Sequence, residues 1–208
     1  LNLTWEAREG IVKHESEYDV SDASDYNPDL RGHLEAQIAN VADELAYTTH
    51  DLDDGLRSGV ITPQSLEGIA LWEILRETYN WGGPILNEME RHRMIRQLVG
   101  IMVTDMLHAT ENRIKDSKVK NSLDIQKLKH NIIGYSEEMQ RRNRELKDLL
   151  YKKLYRHYRV VRMQVKAERI ISDLFQAYRT EPAMLPDHVQ FFIEKRGLER
   201  TICDYIAG

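Results

Sequence analysis

The stretch "ADELAYTTHDLDDG", residues 42 to 55, holds four aspartates, a glutamate, a histidine and a tyrosine. Carboxylates and imidazole at this density can bind a divalent cation, move protons, or simply coat a wet helix. A calcium loop of the EF-hand kind needs oxygen ligands at its first, third and fifth places, glycine at the sixth and glutamate at the twelfth. Counted from Asp51, the glycine falls one place early; counted from His50, Leu52 and Ile61 occupy ligand places. The calcium reading therefore fails. His-Glu-x-x-His, a Gly-rich phosphate loop and a Gly-x-Ser-x-Gly elbow do not occur, which removes the enzyme classes built on them.

The element carrying these residues must be a helix. At 100° per residue, Leu34, Ile38, Val41, Leu45, Leu52 and Leu56 form one stripe that must face a core. Asn40, Asp43, Tyr47, Asp51 and Asp54 gather on roughly the opposite side, with Asp43, Tyr47 and Asp51 stepping four residues at a time. Aspartates spaced this way repel and favour the helix poorly, so they are not there to stabilise it. Pattern alone leaves two readings open, a solvated face and a site.

The rest of the chain reads as all-helical: prolines are few, apolar residues recur at three- and four-residue spacing, and alternating β-branched runs are nearly absent. A first helix is expected from Leu3 to His14, followed by an acidic loop, Glu15 to Asp29, with Asn27-Pro28 marking a turn. A long helix then covers His33 to Arg57. Thr62-Pro63 reads as an N-cap with proline at the first helical place, opening a third helix that runs to Tyr79. A fourth spans Pro84 to Lys115, with Ile95, Leu98, Met102 and Met106 at core spacing and Asp105 at the edge of that face. A short helix is expected at Asp124 to His130. Ser136 then caps a fifth, without the usual Glu or Gln three residues on; it reaches Tyr158, and another continues to Tyr178. Two short helices close the chain.

Composition narrows the setting. No run of about eighteen apolar residues exists to cross a bilayer. One cysteine, Cys203, excludes a disulfide framework and fits a reducing compartment, so cytoplasm is the expectation. Leu1 is not methionine and no signal peptide follows it, so the chain is expected to begin inside a longer protein. Charge is uneven: residues 141 to 169 hold eleven Lys and Arg against three acids. There Lys152, Lys153 and Arg156 interleave with Tyr151, Tyr155 and Tyr158, as an anion-binding helix would require. Leu150, Leu154, Val161, Val165 and Ile171 equally suit a packed helix with basic stems along its edges. Both readings stay open.

"LNLTWEAREGIVKH", "LEAQIANVADELAYTTHDLDDGLRSG", "LYKKLYRHYRVVRMQVKAERIISDLFQAY" and "CDYIAG" together resemble the second half of the dGTP triphosphohydrolase-like proteins, a branch of the HD-domain phosphohydrolases. The resemblance implies a helical, cytoplasmic, oligomeric enzyme that uses Mg²⁺, Mn²⁺ or another divalent metal to cleave deoxynucleoside triphosphates into deoxynucleoside and triphosphate. It implies that Asp43 is the distant aspartate of a metal site otherwise made of a histidine and a His-Asp pair. Tyr47 would lie against the deoxyribose and Asp51 would bond the sugar 3′-hydroxyl. The upstream histidine motifs have no counterpart here, and the one His-Asp dipeptide, His50-Asp51, lies on the wrong helix. The chain alone is therefore expected to be inactive, with residues 1 to about 115 completing a catalytic domain and about 116 to 208 forming a C-terminal helical region.

Other residues are read more plainly. The eight histidines are spread over several helices without ligand spacing and suit surface or packing roles. Trp5, Trp72 and Trp81 suit core or subunit contacts, Asp53 and Asp54 are expected to be solvated helix-end charges, and "RHRMIRQ", residues 91 to 97, is within reach of a substrate role. The alternative function is a helical module that binds nucleic acid, single-stranded DNA included, or a regulatory nucleotide, or copies of itself.

Overall fold

The computed structural model describes residues 2–14 and 24–208. The described residues contain helices and no strand, as the periodicity requires. Most of the acidic loop, residues 15 to 23, lies outside them. Two compact units divide the chain, Leu1–Leu154 and Tyr155–Gly208. No described helix is long and apolar enough to cross a membrane.

In the first unit, α1 (Trp5–Val12) starts at Thr4, whose side chain accepts from the Ala7 N–H. α2 (Leu34–Arg57) starts one residue after His33, which serves as its N-cap. Leu45 and Leu52 are buried and Leu34, Val41 and Leu56 partly so, but Ile38 is 42% exposed. Ile38 is the correction to the expected stripe. The buried face is rotated toward Ala36, Gln37, Thr48, Thr49 and Gly55, small or hydrogen-bonded residues that an apolar count overlooks. At Gly55 a Cβ would come within 2.6 Å of Ile61 Cδ1, so only glycine lets the following loop close onto the helix.

The third helix is not continuous. Thr62 and Ser65 form a capping box over a 3₁₀ turn, Pro63–Leu66, and Gly68 then turns the chain at φ 85° before α3 (Ala70–Thr78). Leu66 is fully buried, and the turn drives it into the core. α4 (Glu88–Ser117) begins later than Pro84, at the Asn87–Glu90 capping box. It lays Met94, Leu98, Met102 and Met106 against α2, the most extensive helix pair in this unit. Trp72 is buried edge-on to Trp81 at 5.7 Å, whereas Trp5 is exposed beside Tyr26.

After α5 (Ser122–Gln126), residues 131 to 136 are pinned by polar bonds. Gln37, buried on α2, donates to the Gly32 carbonyl at 2.8 Å and accepts from the Ile132 N–H at 2.8 Å. Arg113 donates to the Gly134 and Tyr135 carbonyls. α6 (Glu137–Leu150) has Ser136 as its cap, and Asp105 of α4 accepts from the Ser136 N–H at 2.8 Å and its hydroxyl at 2.6 Å. In a capping box, the third residue of the helix takes the N–H of the cap. Here a carboxylate 31 residues away takes it, which explains why the sequence lacks the usual Glu. Ser136→Ala is expected to cost about 1–2 kcal/mol of stability, read as a lower urea midpoint at unchanged slope; an unchanged midpoint would deny the cap its role. A π-helical turn, Tyr151–Tyr155, follows α6.

In the second unit, α7 (Tyr158–Thr180) packs chiefly on α10 (Leu198–Ala207), with Tyr178 edge-on to Tyr205 at 5.5 Å. A 3₁₀ turn, Pro182–Met184, and the short helices α8 (Asp187–Gln190) and α9 (Ile193–Arg196) connect them. Val165 and Ile171, expected to pack, are 59% and 52% exposed. The side of α7 that meets α10 lies nearer its C-terminus, around the partly buried Phe175 and Tyr178.

Candidate functional site

α2 presents Asp43, Tyr47 and Asp51 along one face, about 12 Å from first to last at 1.5 Å per residue. The Asp43 side chain is 66% exposed and Tyr47 is 53% exposed, while Asp51 is partly buried. The three residues therefore share a surface that is open at Asp43 and Tyr47.

His14 joins them. Its Nε2 lies 3.8 Å from Asp43 Oδ2, and its Nδ1 lies 2.5 Å from Asn40 Oδ1. These three side chains close one end of a groove of about 590 Å³ between α1 and α2, whose walls include the small residues Gly10, Ala36 and Ala39. Counted as one of eight scattered histidines, His14 carries no signal of this. The clue lay in folding α1 onto α2, which the sequence does not announce.

His50 is exposed on α2, and Asp54 is a solvated charge as expected. Asp53 is not. Its side chain is 24% exposed and ion-paired with Arg91, whose own side chain is 9% exposed and whose guanidinium also reaches His92 Nε2 at 3.1 Å. Arg91, in the stretch considered for substrate contact, is thus already engaged within the fold. It borders a separate cavity of about 630 Å³ next to Leu56 and Ile85, which contains none of Asp43, Tyr47 and Asp51.

Glu44, next to Asp43, fastens α2 to α6. Its Oε1 accepts from Lys147 Nζ at 3.2 Å and from Asn143 Nδ2 at 3.4 Å. Beneath them, burial pushes the Tyr135 hydroxyl well above the usual tyrosine range, and the Glu44 and Asp105 carboxylates add to the effect. Lys152 and Lys153 are exposed on the π turn that follows α6, and Arg156 is exposed in the second unit.

The donor chemistry suits a contribution to a metal centre but not a whole one. Asp43 is an accessible carboxylate of the kind a divalent cation takes. Yet among the described residues no group of three or more His, Cys, Asp or Glu side chains could hold a metal ion.

Residues 133–208 match the phosphohydrolase-associated domain. Over its whole length the chain is 41% identical to a deoxyguanosinetriphosphate triphosphohydrolase-like protein of Geobacter sulfurreducens, covering 55% of that protein. Proteins of the same name from Ralstonia pickettii and Deinococcus deserti are 39% and 38% identical, with 55% and 52% of their lengths covered. Over its whole length the chain is similar to these deoxyguanosinetriphosphate triphosphohydrolase-like proteins, and it spans about half the length of the relatives it matches.

Proposed function

We propose that the chain is part of a metal-dependent dNTP triphosphohydrolase, to which it contributes Asp43 as one metal ligand and Tyr47 and Asp51 as the sugar-binding pair. In this reaction water adds to the α-phosphorus, the bond from that phosphorus to the 5′-oxygen breaks, and the 5′-oxygen leaves with a proton as deoxynucleoside. Mg²⁺ or Mn²⁺, when bound, supplies charge compensation at the α-phosphate and orientation for the attacking water. The remaining ligands come from protein outside this chain, so the chain by itself is inactive. Residues up to about 115 complete the catalytic part, and residues from about 116 to 208 form a C-terminal helical region.

One observation carries this reading: three residues of the types a metal, a deoxyribose ring and a 3′-hydroxyl require stand in line on one face of α2, open at the end where the metal ligand lies. Tyr47 offers a ring that tolerates a 2′-CH₂ and crowds a 2′-hydroxyl. Asp51, partly buried, offers an acceptor to the 3′-hydroxyl. Full-length protein with dGTP and Mn²⁺ is expected to release triphosphate and to prefer dGTP over GTP. Tyr47→Ala is expected to narrow that preference about tenfold or more, in the range that contact with a single small group supplies. Release of pyrophosphate instead, or an unchanged sugar preference in the variant, would count against the reading.

A second reading concerns the basic helices. In the second unit Arg156 is exposed, and the exposed ring of Tyr158 has Arg159 and Arg162 guanidinium groups at 5.8 and 5.4 Å; in the first unit Lys152 and Lys153 are exposed. Exposed cations interleaved with aromatic rings favour an anion such as single-stranded DNA or a regulatory nucleotide.

A further inference from the structure

The site asks more of Asp43 than its own helix enforces. An aspartate on a helix surface can occupy more than one χ1 well, and this one is 66% exposed. Among the described residues its partner is His14, which reaches it from beyond the end of α1.

That ring is itself held. With Nδ1 2.5 Å from Asn40 Oδ1, the Nδ1–H donates to the amide oxygen, and Nε2 is the nitrogen turned toward Asp43. Asn40 stands three residues before Asp43, on the same side of α2. Next to His14, the buried Lys13 ammonium donates to Glu9 Oε1 at 2.7 Å and to the Asn27 and Leu30 carbonyls at 2.8 Å each. These bonds tie the end of α1 to the chain that leads into α2, so His14 projects from a fixed base.

At 3.8 Å the ring is too far from the carboxylate for a direct hydrogen bond. Its edge instead borders one side of the carboxylate, which is otherwise largely exposed. We propose that His14, oriented by Asn40, is a positioning residue that confines Asp43 to the rotamer in which it serves the metal site. The proposal rests on the reading of Asp43 as a metal ligand. It assigns His14 and Asn40 a role outside the ligand set, and it gives α1 a functional reason to pack on α2.

The test is Mn²⁺ affinity of the full-length protein, measured by titration calorimetry, together with kcat and KM for dGTP. Residues that orient a metal ligand are worth about 10–100-fold in metal affinity, so His14→Ala is expected to weaken Mn²⁺ binding by about tenfold or more. Asn40→Leu, which removes the acceptor at similar size, is expected to lose part of that factor, and the double variant to be no weaker than His14→Ala. Asn40→Leu also carries the test if His14→Ala does not fold. Folded variants that bind Mn²⁺ within twofold of the parent overturn the proposal, even where their melting temperature falls, because a packing role alone predicts that pattern. Asp43→Asn separates the two layers. If it leaves Mn²⁺ binding intact, the ligand reading fails; if it abolishes binding while the His14 and Asn40 variants match the parent, only the positioning role fails.

Discussion

Full-length protein carrying Asp43→Ala is expected to release no triphosphate from dGTP above background while unfolding no more easily than the parent. The two halves of that result come from opposite ends of the same side chain. At the carboxylate, a direct metal ligand is lost, and the effect should exceed the 10–100-fold that outer-shell partners command. At the backbone, alanine replaces an exposed aspartate inside a helix, which favours the helix by about half a kcal/mol. Asp43→Glu, which keeps the charge but moves it by one methylene, should recover part of the rate. Steady-state triphosphate release and urea unfolding on the same preparations check both halves. Undiminished release by Asp43→Ala would remove Asp43 from the metal site, and lost activity accompanied by lost stability would point to damage rather than chemistry.

The largest effect on stability is expected at Asp53. Asp53→Ala leaves the Arg91 guanidinium, 9% exposed, facing the space its carboxylate filled. Removing one partner of a buried pair costs about 3–5 kcal/mol; the lower end applies here because Asp53 is a quarter exposed. Against a total stability of about 5–15 kcal/mol, that is a large share. Replacing both partners, Asp53→Ala with Arg91→Met, should restore much of the loss by removing the unpaired charge together with its mate. A double-mutant cycle from urea curves reads the coupling directly. If Asp53→Ala shifts stability by under about half a kcal/mol, the range of an ordinary surface change, the pair is not holding α4 to α2 and Arg91 is available for another purpose.

Much of the fold was legible because apolar spacing and cap chemistry are local. Ser136, Thr62 and the helical core spacing of Leu98, Met102 and Met106 are all read within a few residues of where they act. What was not legible depends on contacts between distant segments. Asp53 looked like a wet helix end because nothing nearby in sequence pairs with it, and Arg91 lies 38 residues away. Ile38 looked buried because apolar residues were counted, whereas Gln37 is the buried one, its amide matched to backbone groups as far off as Ile132. The line Asp43, Tyr47, Asp51 needed only helical geometry, but pattern could not choose between a wet face and a site. His14 needed the packing of α1 on α2.

The hydrogen bonds around Ser136 bear on where this protein can be cut. The phosphohydrolase-associated domain begins, as a sequence pattern, at residue 133. The groups that satisfy its first backbone amides and carbonyls, Gln37, Asp105 and Arg113, all lie before that point. A piece starting at 133 would leave behind Asp105, which holds the cap of its own first helix, and Gln37 and Arg113, which hold the residues leading into it, while the packing division falls only at Leu154 and Tyr155. The unit that recurs as sequence is therefore not one that can be lifted out whole: its first helix belongs, by its bonds, to the helices that carry the proposed site.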